Sequence, residues 1–300
     1  MLLGLHFLLP LLVAPGLFGL IAKTKALVAG RRGPPLLQVY RDLNKLLRKG
    51  TVYSHTASWV LPLAPVVNVA LLILCIALLP GIGAAPLHFS GDLLLFLYAL
   101  GLARCATLLA AFDVGSSFEG MGASREATFG ALSELAAILG FITLAILTHA
   151  TSLDTILSRI PVTAGLQPIL VLLALIFFLI LLTENSRLPI DDPTTHLELT
   201  MIHEVMVLDY GGVDLALIEL GRGLKLFLFL SVVAGLWWPQ PTYAPLLAAG
   251  WLLVKMGAMA IGVGLIESGM ARWRLVKIPQ LLMANFVMAV FALLVTLLTL

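Results

Sequence analysis

The sequence predicts an all-α, polytopic integral membrane protein with about eight transmembrane helices in a single membrane domain, 1–300. Hydrophobic residues make up 60% of the chain and charged residues 11%, whereas a soluble domain has about 25% charged residues. Apolar runs close to 20 residues long recur along the chain, and a helix of about that length crosses the hydrocarbon layer. The first run lacks the basic start and the small-residue cleavage site of a signal peptide, so it is interpreted as the first span.

The predicted spans follow the apolar runs in chain order. They are Leu3–Ile21, Val60–Leu79, Leu93–Phe112, Phe129–Thr148, Leu166–Leu182, Ala216–Trp237, Pro245–Ile266 and Ile278–Leu298. The polar segments between them alternate between segments rich in Lys and Arg and segments with almost none. Four of these segments, at about 22–58, 113–128, 183–215 and 267–277, are predicted to be cytoplasmic loops.

The Lys and Arg residues of the connections indicate this orientation. The segment "KTKALVAGRRGPPLLQVYRDLNKLLRKG" contains eight of them and "ESGMARWRLVK" contains three. By contrast, "PGIGAAPLHFSGD" and "WPQPTY" contain none, and "ATSLDTILSRIPVTAG" contains one. Because cytoplasmic loops carry the excess of basic residues, we expect both termini to lie outside.

The cysteine and histidine content argues against a redox group in this chain. The two cysteines, Cys75 and Cys105, lie inside apolar runs, and an iron–sulfur cluster needs about four thiolates. Haem is not expected either, because no histidine lies centrally in a span. His196 and His203 share a helix face but are about 10 Å apart along it, too far for one metal ion. The stretch "HEVMV" has Val207 where the zinc-protease motif has its second histidine. We therefore expect no catalytic residue, metal or cofactor here.

Charge is concentrated in one segment, "TENSRLPIDDPTTHLELTMIHEVMVLDYGG", residues 183–212. It contains six carboxylates, two histidines and an arginine. A solvated loop is one interpretation. Apolar residues within "LELTMIHEVMVL" and flanking acids at Glu184 and Glu219 favour a segment that folds back into the protein. Locally, Asp192 and Pro193 suit the start of a helix.

Ionisable residues also occur inside the spans, where they cost a few kcal/mol each and suggest function. They are Arg104, Glu134, Glu219, Arg222, Lys225 and Lys255, with Glu184 and Glu267 at cytoplasmic span ends. Structural pairing, for example of Glu134 with Arg104, is one explanation. A hydrated proton path is the other, because protons can hop along buried carboxylates whose pKa values are tuned by nearby cations. We favour a path formed by Glu134, Glu184, Glu219 and Glu267, with Arg104, Lys225 and Lys255 as cations.

Four motifs, in the same order along the chain, resemble those of the complex I subunit 1 family. The resemblance is greatest to the hydrogenase branch of that family. This branch contains formate hydrogenlyase subunit 4 and related membrane subunits of energy-converting nickel–iron hydrogenases. The motifs are "RRGPPLLQVYRDLNKLL", "FDVGSSFEGMGASREATFGALSE", "ENSRLPIDDPTTHLEL" and "IESGMARWRLVKIPQ". The resemblance covers nearly the whole chain. It implies a multi-pass subunit of the cell's inner membrane, at the junction with a peripheral electron-transfer arm.

The resemblance also implies roles for individual residues. In the family this subunit forms much of a quinone cavity, and its acidic loop and buried glutamates are thought to start a proton path. Glu184, Arg187, Pro189, Asp191 and Glu198 match the loop motif. Glu134 and Glu219 resemble the family's buried acids, and "DYGG" resembles its Glu-Tyr-Ser-Gly stretch. The residues expected to dock the arm or line the cavity are Arg41, Asp42, Arg125, Glu126, Arg187, Asp191, Asp192, His196, Glu198, His203, Glu204 and Asp209.

The implied partners are hydrogenase-like large and small subunits of the arm, antiporter-like membrane subunits and the lipid bilayer, with no nucleic acid. Iron–sulfur clusters and a nickel–iron site are expected in those partners, and a quinone could also bind. Thr194 and His196 stand where complex I has two glutamates, and "GPPLLQ" lacks its Asn-x-Val-Gly-Pro stretch. These departures favour a hydrogenase-type complex that translocates protons or sodium over a quinone-binding complex I subunit. A free-standing transporter is disfavoured, because the chain shows no convincing internal repeat.

Overall fold

A computed structural model describes residues 2–81, 83–160, 166–191, 200–237 and 245–299. Ten α-helices lie within those ranges: α1 Leu2–Val28, α2 Gln38–Leu46, α3 Val60–Leu78, α4 Asp92–Asp113, α5 Ser117–Thr148, α6 Leu153–Ser158, α7 Gln167–Glu184, α8 Gly212–Trp237, α9 Pro245–Gly269 and α10 Ile278–Thr299. Two short 3₁₀ helices, Glu204–Val207 and Leu275–Lys277, precede α8 and α10.

The predicted fold class is confirmed. In the described part of the chain, seven helices are long and apolar enough to cross a membrane: α1, α3, α4, α5, α7, α9 and α10. The remaining long helix, α8, has 26 residues and is about 39 Å long. It carries Asp214, Glu219, Arg222 and Lys225 and packs against α1, α3, α7 and α9. Its charged residues are thus surrounded by other helices.

Several helix boundaries differ from the ends of the predicted spans and loops. The first span continues to Val28 instead of ending at Ile21, because Lys23 and Lys25 lower the hydropathy without breaking a helix. The expected loop 113–128 is mostly helical, since α5 begins at Ser117. Its stretch "SFEGMGASREATFG" is too polar to stand out by hydropathy, yet it contains the good helix formers Met, Ala, Arg and Glu. The expected loop 22–58 contains α2, and the loop 183–215 ends earlier, at the start of α8.

Contacts between helix ends bring the predicted cytoplasmic loops to one end of the bundle. Lys25, near the end of α1, forms an ion pair of 3.0 Å with Glu267, near the end of α9. Ser58, before α3, donates from its hydroxyl to Asp113 at the end of α4 over 2.7 Å. The backbone N–H of Trp273 donates to a carbonyl oxygen in the segment after α7. We call this the loop end of the bundle.

The opposite end is joined by different contacts. The ring of His6 in α1 lies 2.9 Å from the carbonyl oxygen of Ile76 near the end of α3. Asp92, at the start of α4, is fully buried and accepts the backbone N–H of Leu153 at the start of α6 over 2.6 Å. The core near this end is apolar: Phe96, Phe141 and Phe177 of α4, α5 and α7 pack edge to face. Apart from Asp92, the buried carboxylates of the described residues lie in the half of the bundle nearer the loop end.

Helix α2 lies alongside α1 instead of extending beyond its end. The Tyr40 hydroxyl donates to the carbonyl oxygen of Leu12 in α1, and a side chain at Gly16 would collide with the same hydroxyl. None of the nine residues of α2 is buried. A short amphipathic helix that directly follows a membrane span is typical of helices that lie in the bilayer interface.

Candidate functional site: a buried chain of charges around a cavity

The centre of the site is Arg104, in the middle third of α4. Its Nη1 lies 3.0 Å from Glu134 Oε2 and its Nε 3.5 Å from Glu126 Oε1, both on α5. Its Nη2 donates to Glu184 Oε1 at the end of α7. Gly130 gives the guanidinium room, because a Cβ there would lie 2.9 Å from Nη1. One arginine therefore compensates carboxylates from two other helices.

The second oxygen of Glu184 is also occupied. Glu184 Oε2 lies 2.8 Å from Lys225 Nζ on α8, and the Glu184 side chain is only 4% exposed. Removing a carboxylate from water is costly unless it is paired. The end of α7 is thus held between α4 and α8 by one carboxylate with a cation on each oxygen.

In the other direction the contacts run from Glu126 into the loop. Glu126 Oε2 lies 3.0 Å from His203 Nε2, and His203 Nδ1 lies 3.5 Å from Asp191 Oδ2. Asp191 Oδ1 lies 3.0 Å from Arg272 Nη2, in the connection between α9 and α10. Asp191 also accepts the backbone N–H groups of Ile202 and His203. Histidine and aspartate therefore fasten the loop to α5 on one side and to the α9–α10 connection on the other.

We call these residues the Arg104 chain. Its members alternate in charge along the order Lys225, Glu184, Arg104, Glu126, His203, Asp191 and Arg272, with Glu134 as a branch from Arg104. With His203 protonated, four cations balance four carboxylates. Without that proton the chain carries one uncompensated negative charge, so the protonation of His203 decides whether the chain is neutral.

The pKa values of the loop residues agree with this count. Burial alone would lower the pKa of His203, but the carboxylates of Glu126 and Asp191 raise it to about 9. For Asp191, burial acts to raise the pKa, and the stronger combined effect of His203 and Arg272 lowers it. Both members of the pair are therefore charged near neutral pH.

Two smaller groups of charges flank the Arg104 chain. Arg222 Nη1 lies 2.7 Å from Glu219 Oε1 on its own helix and 2.9 Å from Glu204 Oε2 in the 3₁₀ helix. Glu267, whose side chain is fully buried, lies 3.0 Å from Lys25 and 3.4 Å from Arg187 Nη1. The pKa of Arg187 is lowered by burial, and Glu267 partly offsets that effect.

All three groups meet at one cavity with a volume of about 370 Å³. Charged lining residues are Arg104, Glu126, Glu184, Arg187, Asp191, His203, Glu204, Glu219, Arg222 and Lys225. Apolar side chains of α1, α2, α3, α4 and α8 complete the wall. The volume falls within the range of about 300–1,000 Å³ that ligand pockets commonly have.

Glu134 contacts Arg104 but does not line the cavity. A Cβ on Gly101, near the middle of α4, would lie 3.2 Å from Glu134 Oε1, so this carboxylate is close to the midplane of the bundle. Its side chain is 40% exposed on the surface of the chain. The Arg104 chain thus connects the loop end with a carboxylate near the middle of the bundle.

The structure places the other predicted residues in different settings. Arg125 donates to the backbone carbonyl of Met201 over 2.8 Å and holds the loop against α5. Arg41 and Asp42 are exposed on α2, and Asp209 is exposed just before α8. Lys255 is buried on α9, 2% exposed, but it does not line the cavity. Asp192, Pro193, His196 and Glu198 lie outside the described residues.

Some buried polar residues were not predicted. Glu119 of α5 is fully buried and accepts the backbone N–H of Asp209 over 3.1 Å. Asp214, in the first turn of α8, accepts a hydrogen bond of 2.6 Å from the Tyr53 hydroxyl. Glu119 was not predicted as a buried residue because residues 113–128 were expected to form a loop. Its position four residues after "FDVG", in a stretch of good helix formers, is the signal that could have indicated it.

Fold and site together define a multi-pass helical membrane protein whose buried charges surround a cavity near one end. A family model described as NADH dehydrogenase matches residues 1–298. Formate hydrogenlyase subunit 4 of Escherichia coli (strain K12) is 32% identical over 290 residues, which cover 93% of each chain. The chain therefore belongs to the NADH dehydrogenase family, of the complex I subunit 1 type, and the resemblance of its motifs is confirmed.

Two further relatives agree. Hydrogenase-4 component C of the same organism is 31% identical over 291 residues, covering 94% of this chain and 91% of that one. The solved structure of the membrane-bound sulfane sulfur reductase, an archaeal respiratory membrane complex, contains a chain that superposes with a TM-score of 0.84. That likeness covers 97% of both chains at 19% identity, so it supports the fold alone.

Proposed function

We propose that this protein is the membrane junction subunit of a complex I-like redox complex of the hydrogenase type. It anchors the peripheral electron-transfer arm and couples the arm's redox reaction to translocation of protons or sodium across the cell's inner membrane. Its relatives are subunits of a formate hydrogenlyase and of hydrogenase-4. Hydrogenase-like large and small subunits and antiporter-like membrane subunits are then its partners, and both termini lie outside.

The observation that carries the proposal is the continuity of the Arg104 chain. It begins in the loop segment with Asp191 and His203, passes through Glu126 and Arg104, and reaches Glu134 near the midplane. A disturbance of the loop therefore acts on buried carboxylates without any redox group in the chain. Purified alone, the chain should contain no stoichiometric iron or haem, and metal analysis together with absorption spectra checks this.

Coupling follows from electrostatics. Docking or a redox event in the arm shifts the loop, which changes the distances from His203 to Glu126 and Asp191. Because charges in the interior are weakly screened, a small displacement changes the proton affinity of the neighbouring carboxylates. A proton taken up from the cavity by Glu126 or Glu184 leaves the charge of Arg104 less compensated, and this lowers the proton affinity of Glu134. Local electrostatic changes with a distant effect are a common basis of such switches.

The cavity supports a second candidate, a quinone-binding subunit of an NADH–quinone oxidoreductase. Its volume of about 370 Å³ and mixed polar and apolar lining suit an aromatic ligand with an apolar tail. Sensitivity of the intact complex to a quinone-site inhibitor would favour this function. Co-purification of a nickel-binding large subunit favours the hydrogenase type, and a flavin chain that oxidises NADH favours the other.

The coupling role is tested in sealed vesicles that contain the whole complex. Glu134→Gln and Glu219→Gln preserve shape but remove a titrating charge, so we expect assembly to persist while the ratio of ions translocated to electrons transferred falls. Turnover measured without a membrane gradient should change less.

Asp154→Asn is the matched control. It also replaces a carboxylate by an amide, but at the opposite end of the bundle, where Asp154 accepts the backbone N–H of Ala85. If both glutamine variants translocate as many ions per electron as the wild type, these acids have a structural role and the proposal fails.

A further inference from the structure

Six basic side chains in and around α2 have no acidic partner in the described part of the chain. They are all exposed: Arg31, Arg32, Arg41, Lys45, Arg48 and Lys49. Asp42 is the one acid between the first and the last of them, and no ion pair among the described residues involves any of the six. Cations that line the cavity are paired instead, such as Lys225 with Glu184 and Arg222 with Glu219. Segment 31–49 therefore carries positive charge that its neighbours in the described structure do not neutralise.

Three of these cations share one face of α2. The spacing of Arg41, Lys45 and Arg48 is i, i+4, i+7, so they lie within about 60° of one another around the helix axis and span about 10 Å along it. The helical turn continues as far as the third of them, because the backbone N–H of Arg48 donates to the carbonyl oxygen of Lys45. We call these three residues the basic face of α2.

The opposite face of α2 is the one that contacts the protein. Val39, Leu43 and Leu46 lie on the other side of the helix from Arg41, at about 100° per residue, and all three are half-buried. Val39 lines the cavity, and the helix packs against α1 and α8. The basic face is thus directed away from the bundle.

Exposed apolar side chains accompany the basic face. Leu36, Leu37 and Leu47, at the two ends of α2, are 49%, 60% and 56% exposed. An acidic surface of a soluble protein would neutralise the cations but would leave these leucines without an apolar environment. A bilayer surface supplies both, because basic side chains of an interfacial helix reach the headgroups while its apolar side chains enter the acyl layer.

We propose that the basic face of α2 binds the anionic headgroups of bilayer lipids, with Leu36, Leu37 and Leu47 in the adjoining acyl layer. Phosphatidylglycerol carries a net negative charge and phosphatidylcholine carries none, so the face selects the former. Since Val39 belongs to the same helix, the lipids that hold α2 also hold one wall of the cavity. This binding does not depend on the redox function proposed above.

The test uses the whole complex reconstituted into vesicles, with a fluorescent amino acid in place of Asn44, which is exposed beside the basic face. Brominated phosphatidylglycerol and brominated phosphatidylcholine are compared as quenchers. We expect half-maximal quenching at a mole fraction of phosphatidylglycerol at least about tenfold lower, because each of the three cations contributes roughly fivefold. Equal quenching by the two lipids would overturn the proposal.

Variants locate the preference. The triple variant Arg41→Gln, Lys45→Gln, Arg48→Gln should lose most of it, whereas Arg41→Lys with Arg48→Lys, which keeps the charge, should retain it. Arg274→Gln with Lys277→Gln is the matched control, because it removes exposed cations of the loop end outside α2; its preference should equal that of the wild type. An unchanged preference in the triple variant would show that α2 is not the binding face.

Two measurements on the wild type do not depend on the folding of any variant. Added salt should weaken the preference, because exposed charges are screened, and a preference that persists unchanged at high salt would contradict binding by this face. The preference should also be the same before and after the soluble subunits are washed off. If it appears only after their removal, an acidic partner covers α2, and if inorganic phosphate at constant ionic strength abolishes it, the site binds a free anion; either result would overturn the proposal.

Discussion

The protonation of His203 should make the stability of this protein depend on pH in a defined direction. The neighbouring carboxylates raise its pKa from 6.5 to about 9. A shift of about 2.5 pKa units corresponds to roughly 3 kcal/mol, at about 1.4 kcal/mol per unit. Because the folded pKa is the higher one, this stabilisation is fully present below pH 6.5 and is lost as the pH rises through 9. Asp191, whose pKa is lowered, contributes above its ordinary value of 3.8 and adds no slope in that window.

The perturbation is His203→Gln, which keeps a polar side chain of similar size but cannot carry the charge. At pH 6 the variant leaves Glu126 and Asp191 with one cation fewer, so it should be less stable than the wild type by roughly 3 kcal/mol. Near pH 9.5, where the wild-type imidazole is largely neutral, most of this difference should disappear. In apparent Tm, a difference of this size corresponds to several degrees, at roughly 2–4 °C per kcal/mol for a large chain.

The assay is thermal unfolding of the detergent-solubilised protein, followed by intrinsic tryptophan fluorescence between pH 6 and pH 9.5. His55→Gln is the matched control, because His55 is exposed in the segment before α3; its difference from the wild type should stay constant with pH. If the His203→Gln variant is no less stable than the wild type at pH 6, and the difference does not change with pH, His203 is neutral at pH 6. That result would refute the charge balance assigned to the Arg104 chain.

Three other predictions concern the same end of the molecule. Arg104→Gln should destabilise the protein by about 3–5 kcal/mol, because it leaves the buried carboxylates of Glu126 and Glu184 short of a partner. Arg159→Gln, at an exposed position, should stay within about 0.5 kcal/mol in the same unfolding assay. Asp191→Arg should release the soluble partners in a pull-down, and combination with Arg272→Asp should restore part of the binding; unchanged assembly of the single variant would count against the loop as a docking element. Reporter fusions after Gly30, Arg187 and Arg272 should report the cytoplasm and one after Ala84 the outside, and the reverse pattern would invert the proposed topology.

Much of the fold could be predicted because it depends on local properties of the chain. Hydropathy over about 20 residues located seven of the spans, and α8 remained recognisable although it carries four charged residues. The uneven distribution of Lys and Arg among the connections predicted which loops lie on the same side, and the structure brings those loops to one end of the bundle. Hydropathy did not reveal the helix at 117–128, because that part of α5 is polar. It packs against the loop segment, where a Cβ on Gly122 would lie 3.0 Å from the carbonyl oxygen of Ile202.

The sequence by itself determined which residues carry charge inside the membrane, and it indicated Arg104, Glu134, Glu184, Glu219 and Lys225. Only the tertiary structure decided how they pair. Arg104 meets Glu134 from 30 residues away and Glu184 from 80 residues away, distances along the chain at which no periodicity carries information. Glu126 and His203, predicted as part of a docking surface, lie inside the Arg104 chain, and Lys255, predicted beside the path, lies away from the cavity. The physical reason is that burial of a charge is a local cost visible in the sequence, whereas its compensation is a long-range contact that exists only once the helices have packed.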